Sequence, residues 1–182
     1  NETLQLWTDS FLQCLAGLPL TLGLTFVSLL IGGLMALPLS VIHSRKTTVP
    51  AKWVRMFTFF FTGTPLLVQL YIFYDGVGSM DWVQNLMEVP GFNFLREGYF
   101  WVLLGLIFNT AAYTTIILSG AIRNTENGEV EAGRAYGMNP SQVMRHIILP
   151  SSLRRALPAY SNEVILMVQA TALASSFTLY EI

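Results

Sequence analysis

The chain alternates long apolar runs with short polar ones. Ser10 to Ile42, Met56 to Tyr74 and Gly98 to Ile122 contain no charged residue. A fourth run starts at Leu153 and reaches about Thr171, with Pro158 in its early turns and Glu163 as its one acidic residue. Roughly 20 apolar residues cross a bilayer as a helix. The pattern therefore predicts an all-α membrane protein with helices at about 16–42, 56–74, 98–122 and 153–171. In the first helix, Pro38 and the Gly32-Gly33 pair predict a kink or the close approach of a neighbour. In the second, Gly63-Thr64-Pro65 predicts local unwinding, which is tolerated at membrane depth where the backbone is buried or lines a cavity.

The polar stretches complete the plan. His43 to Arg55 reads as a short loop. Asp75 to Glu97 reads as a longer one with an amphipathic piece around Met80–Met87. Residues 123–150 form a polar loop with its own punctuation. Asn127-Gly128 predicts a turn, and Glu129 and Glu131 suit the first turn of a short helix. Gly137 suits the left-handed residue that ends it. Asn139, Pro140 and Gln142 predict the cap, first residue and capping-box partner of a second helix, which Pro150 closes. After Thr171 the pattern predicts a break and a short surface helix.

Composition agrees with a bilayer as solvent. Of 182 residues, 53% are hydrophobic and 12% charged, against about 25% charged in soluble domains. A formal net charge of −1 gives no support to a nucleic-acid partner. One cysteine, Cys14, excludes an intrachain disulfide, and His43 and His146 have no partner at metal-ligand spacing. Residues 1–10 carry Glu2 and Asp9 and lack the basic start of a signal peptide. The chain begins with Asn, so a start upstream is expected. Of the ten basic residues, Arg45, Lys46, Lys52 and Arg55 share one loop, and Arg123, Arg134, Arg145, Arg154 and Arg155 surround another. Only Arg96 lies on the opposite side. Basic loops stay cytoplasmic, which predicts residues 123–150 inside, and the N-terminus and the 75–97 loop outside.

Glu131-Ala132-Gly133, Gly137 and Ile147-Ile148-Leu149-Pro150, at this spacing, resemble the EAA motif in membrane subunits of bacterial ABC importers. Phe61-Thr62-Gly63-Thr64-Pro65-Leu66-Leu67-Val68-Gln69-Leu70 is similar to a stretch of the polar amino-acid permeases. Leu157 to Met167 is similar to the segment after the motif in their basic amino-acid branch. The likeness runs from about Leu18 to the end of the chain. It implies a single transmembrane domain, 1–182, of type I ABC importer-like fold, in a bacterial cytoplasmic membrane. It implies a second permease subunit, identical or not, ABC ATPase subunits that bind ATP and Mg, and a periplasmic or lipid-anchored substrate-binding protein. The chain itself would be no enzyme and hold no cofactor. Relatives continue into a further helix after the position of Glu181, so this sequence is expected to be a piece.

The resemblance assigns ATPase docking to Glu131, Ala132, Gly133, Gly137, Leu149 and Pro150 in a cytoplasmic coupling loop at about 123–150. Gly133 stands where relatives have a second alanine, at a helix-propensity cost of up to about 1 kcal/mol. Five residues are candidates for the substrate pathway. Glu163 lies about 15 Å into its helix, and an ionisable group there faces a cavity or a partner. Contact with a cationic amino acid and a structural ion pair or hydrogen bond both remain open. Thr64 and Gln69 flank the predicted unwinding, where free backbone groups would meet a zwitterion, or where a proline-kinked helix satisfies itself. Asn109 and Tyr113 share a helix face, as path lining or as packing. Asn162 and Gln169 read as helix–helix contacts. Thr62 and Ile116 replace an arginine and a glutamate common in relatives.

The expected function is ATP-driven import of polar, basic L-amino acids. The alternatives are a permease for glutamine or an opine, and an ATP-independent channel or structural subunit. A membrane enzyme would need a nucleophile–base pair, and none is legible.

Overall fold

A computed structural model describes the backbone of residues 2–45 and 48–179 and the side chains of 17–45 and 48–172. Among these residues only helices and turns occur. α1 is Glu2–Ser44, α2 Val49–Gly63, α3 Leu66–Tyr71, α4 Asp81–Met87, α5 Gly98–Arg123, α6 Asn127–Ala135, α7 Pro140–Val143 and α8 Leu149–Leu179. α3 continues as a π turn, Ile72–Val77, and a second π turn, Met144–Ile148, joins α7 to α8.

α5 is the post around which the others stand. Fourteen of its residues are buried, from Trp101 to Ile122. α1 lies along it closely: a Cβ on Gly32 would sit 2.9 Å from the Ile107 carbonyl and from Thr110. That close approach is what the Gly32-Gly33 pair predicts. Hydroxyls inside α1 bond back to their own helix, as Thr25 does to the Thr21 carbonyl (2.8 Å) and Ser28 to that of Thr25 (2.9 Å). α8 packs on both helices through Ser152, Ala156, Glu163, Met167 and Thr171. Leu24, Leu70, Val102, Leu106 and Met167 form one apolar cluster; Ala36, Leu118 and Ala156 form another.

The outer faces are apolar as well. Phe26 is 67% exposed and Phe59 80%, in keeping with acyl chains as the surroundings. Gly17–Ser44 and Gly98–Arg123 are each long and apolar enough to cross a membrane. α2 with α3 and its π turn is a broken pair bent by 111°. The break falls at Gly63-Thr64-Pro65, inside the span expected at 56–74. α8 does not reach that apolarity, carrying Arg154, Arg155 and Glu163.

Other boundaries move for local reasons. α1 starts at Glu2, and its apolar span runs Gly17–Ser44. α2 begins at Val49, because Pro50 fits a first helical turn; Lys52 and Arg55 are therefore helical, and Lys46 lies outside the described residues. Asn127-Gly128 opens α6 rather than preceding it. Pro150 does not close a helix. It has no N–H and crowds the carbonyl four residues back, and the π turn at Met144–Ile148 accommodates that, so the path runs on into α8. The break expected at Thr171 does not form: its hydroxyl bonds the Met167 carbonyl at 2.7 Å and the helix continues to Leu179. The remainder of the expected terminal piece, 180–182, lies outside the described residues.

Candidate functional site

At Gly137 and at Asn139 the 123–150 loop folds as its punctuation predicts. Just past the end of α6 stands Gly137, whose φ is +78°. There the Gly137 N–H donates to the Arg134 carbonyl (2.9 Å) and the Met138 N–H to that of Gly133 (3.1 Å), the paired bonds of a Schellman ending. α7 starts with a reciprocal cap. Asn139 Oδ1 accepts from the Gln142 N–H and Gln142 Oε1 from the Asn139 N–H, both at 2.9 Å.

This turn lays α6 back on α7 and on the π turn at Met144–Ile148. Gly133 is buried, and a Cβ there would come within 2.4 Å of Ile147 Cδ1 and 3.4 Å of Val143 Cγ2. Its smallness thus serves packing within the loop. Glu131, Ala132, Arg134 and Gly137 stay exposed, as does Pro150, while Leu149 is half-buried. Glu131 makes no hydrogen bond or ion pair among the described residues. Tyr136, for which the sequence pattern predicts no role, is 87% exposed at the end of α6. An aromatic ring held at a rigid helix end with nothing covering it is suited to a partner's pocket. Behind α6 lies an open groove of about 710 Å³, lined by Glu126, Glu129, His146, Pro150, Arg154 and Arg155 among others.

The second group of predicted residues meets at the helix break. Gln69 is 1% exposed. Its Nε2 donates to the Phe61 carbonyl (2.7 Å), the Thr64 carbonyl (2.9 Å) and Thr64 Oγ1 (2.8 Å). Its Oε1 accepts from Asn109 Nδ2 at 3.2 Å, which also reaches the Phe61 carbonyl at 3.4 Å. The Tyr113 hydroxyl donates to the Thr62 carbonyl (3.4 Å), and Thr64 Oγ1 to that of Phe60 (2.8 Å). A helix end leaves carbonyls without partners, and here side chains from α3 and α5 supply them. The backbone at Gly63-Thr64-Pro65 is unwound as predicted, but the carbonyls of Phe61, Thr62, Thr64 and Pro65 are taken. Phe61, Phe73 and Phe108 close the inside of the bend, with ring centroids 5.6 to 6.3 Å apart.

Glu163 is separate from this network. It is 7% exposed, on the inner face of α8 between Ala156 and Met167, hence between the two apolar clusters. α5 presents Thr110 and Thr114 between Leu106 and Leu118, the residues of the same two clusters. Both threonine hydroxyls are buried without a hydrogen-bond partner. Among the described residues Glu163 has neither an ion pair nor a hydrogen bond. The tyrosine one turn earlier, Tyr160, stands against Gly33 of α1. Asn162 and Gln169 point outward.

The sequence profile of the family described as binding-protein-dependent transport system inner membrane component matches residues 28–181. The chain is 46% identical, over 175 residues, to the histidine/lysine/arginine/ornithine transport system permease protein HisM of Escherichia coli strain K12, covering 95% of this chain and 71% of that protein. It is 39% identical over 179 residues to the nopaline transport system permease protein NocM of Agrobacterium fabrum, covering 98% and 73%. It is 41% identical over 186 residues to the octopine transport system permease protein OccM of Rhizobium meliloti, covering 100% and 72%. A crystal structure of an amino acid ABC transporter with histidines superposes with a TM-score of 0.75 at 29% identity, covering 94% of this chain and 74% of that one.

Proposed function

The chain belongs to the family of inner membrane components of binding-protein-dependent transport systems, and from this premise we propose that it carries cationic L-amino acids inward. It is a permease of the amino-acid ABC importer kind, with the all-α transmembrane fold of that class. The observation that carries the substrate reading is Glu163. A carboxylate enclosed at mid-helix with no partner is costly unless something cationic meets it. The name of the Escherichia coli relative, with histidine, lysine, arginine and ornithine, supports the same chemistry.

Each other residue takes a role in this reading. Gln69, Asn109, Tyr113 and Thr64 hold the broken second span in shape as a wall of the pathway, since their polar atoms are already engaged. α2, with α3, is that span and α8 the fourth, with the amino terminus and the 75–97 loop outside. α6 docks on a partner ATPase that binds ATP and Mg. Glu131 and Ala132 offer its exposed face, Tyr136 its anchoring ring, and Gly133 and Gly137 its shape. Leu149 and Pro150 carry the loop into α8. A second permease subunit and a substrate-binding protein complete the assembly.

The experiment is substrate-stimulated ATP hydrolysis by the assembled transporter in liposomes with its binding protein. Arginine, histidine and lysine are expected to stimulate it, and Glu163→Gln is expected to weaken that stimulation by on the order of tenfold. Unchanged stimulation in Glu163→Gln would make the carboxylate structural. The nopaline and octopine relatives favour one second reading, an opine permease, which stimulation by an opine in place of arginine would select.

A further inference from the structure

Between the docking helix and α8 the chain passes through a π turn, Met144–Ile148. Helices kink at such turns. A displacement of α6 would dissipate there unless another contact bridged it. Arg155, on the second turn of α8, supplies one. Its Nη1 donates to the Asn124 carbonyl at the end of α5 (3.3 Å). Its Nη2 donates to Thr125 Oγ1 in the α5–α6 connection (3.1 Å) and to Ser151 Oγ on α8 (2.9 Å). The same nitrogen lies 3.8 Å from Glu129 Oε2 on α6. Ser151 Oγ in turn donates to Glu129 Oε1 (3.3 Å), and Thr125 Oγ1 lies 3.4 Å from Ser152 Oγ.

We propose that Arg155 is the positioning residue that makes the end of α5, the docking helix α6 and α8 move as one lever. A movement imposed on α6 then reaches the helix that carries Glu163 without passing through the π turn. A guanidinium suits this task, because its planar fork serves acceptors from several segments at once, whereas an ammonium is a single point. The proposal rests on the reading of α6 as the ATPase-docking element.

The test uses the complete transporter in proteoliposomes, with arginine uptake and ATP hydrolysis measured in the same vesicles. Arg155→Ala is expected to keep ATPase co-purification and hydrolysis within about twofold. Uptake per ATP is expected to fall by about threefold to tenfold, within the range of coupling changes made by residues outside both sites. Arg155→Lys is expected to fall between. An unchanged ratio in Arg155→Ala overturns the proposal. Parallel loss of hydrolysis and uptake in both variants also overturns it and makes Arg155 an assembly residue. Should Arg155→Ala fail to accumulate, Thr125→Ala and Ser151→Ala remove two of its acceptors, and an unchanged ratio in both overturns it equally. A wild-type chain that retains no ATPase would instead remove the docking reading beneath the proposal.

Discussion

Single side chains decide whether the break in the second span is a defect or a built feature. Gln69 joins α2, α3 and α5 through one amide. Gln69→Leu would strip the Thr64 carbonyl and Asn109 of a buried partner, at about 1–3 kcal/mol for each group left unmade. The expected result is a clear drop in the melting temperature of the detergent-solubilised protein; an unchanged value would show that the staple is dispensable. Gln69→Glu should be worse, since a carboxylate facing carbonyls has nothing to donate. The glutamine and its neighbouring threonine are visible in the sequence as polar residues in an apolar run. That Asn109, 40 positions away, completes the network is a tertiary fact with no local signal. Glu163 is legible for the opposite reason, since a lone acid in an apolar helix stands out in any reading. The sequence is silent on the unpartnered threonine hydroxyls of α5, because threonine is common in membrane helices and usually bonds its own backbone, as Thr171 does.

At the scale of elements, α6 and α7 show how far punctuation reaches. Asn139, Gln142 and Gly137 act within four residues of themselves, and they do what their chemistry predicts. Gly133 acts through Ile147, whose approach depends on the whole loop being folded, so from sequence alone it reads as a docking residue. The same geometry turns Tyr136 outward. Two substitutions separate these roles. Tyr136→Ala is expected to weaken binding of the ATPase subunit by on the order of 30-fold, the size of an interface anchor. Gly133→Ala is expected to leave it within about twofold, since the atom it meets is the flexible tip of Ile147. Equal effects in a pull-down titration would contradict the assignment. Gly137→Val should cost about 1–2 kcal/mol by placing a side chain at positive φ, read as lower thermal stability of the loop in hydrogen exchange. Proline at position 150 misleads as a stop signal, because a π turn upstream absorbs what would otherwise end a helix.

The whole molecule is a post, α5, with α1 and α8 leaning on it and a bent α2–α3 pair beside it. Its hydrophobic runs carry that outline, while the 111° bend and the burial of α8 depend on packing between distant segments. The basic residues predict sidedness, which a whole-protein experiment checks. With Cys14 replaced by Ser, Ser79→Cys should react with an impermeant maleimide from outside intact cells, and Ser141→Cys only in inverted vesicles; the reverse would invert the topology. In the proposed function this chain moves a cationic amino acid inward only when an ATPase drives it and a binding protein delivers the substrate. The most direct measurement is uptake of radiolabelled arginine into proteoliposomes holding the permease pair and its ATPase, with ATP enclosed and binding protein outside. Accumulation is expected to stop when either ATP or binding protein is withheld and to fall sharply in Glu163→Gln. Arginine flux that continues without ATP, or without binding protein, would contradict it.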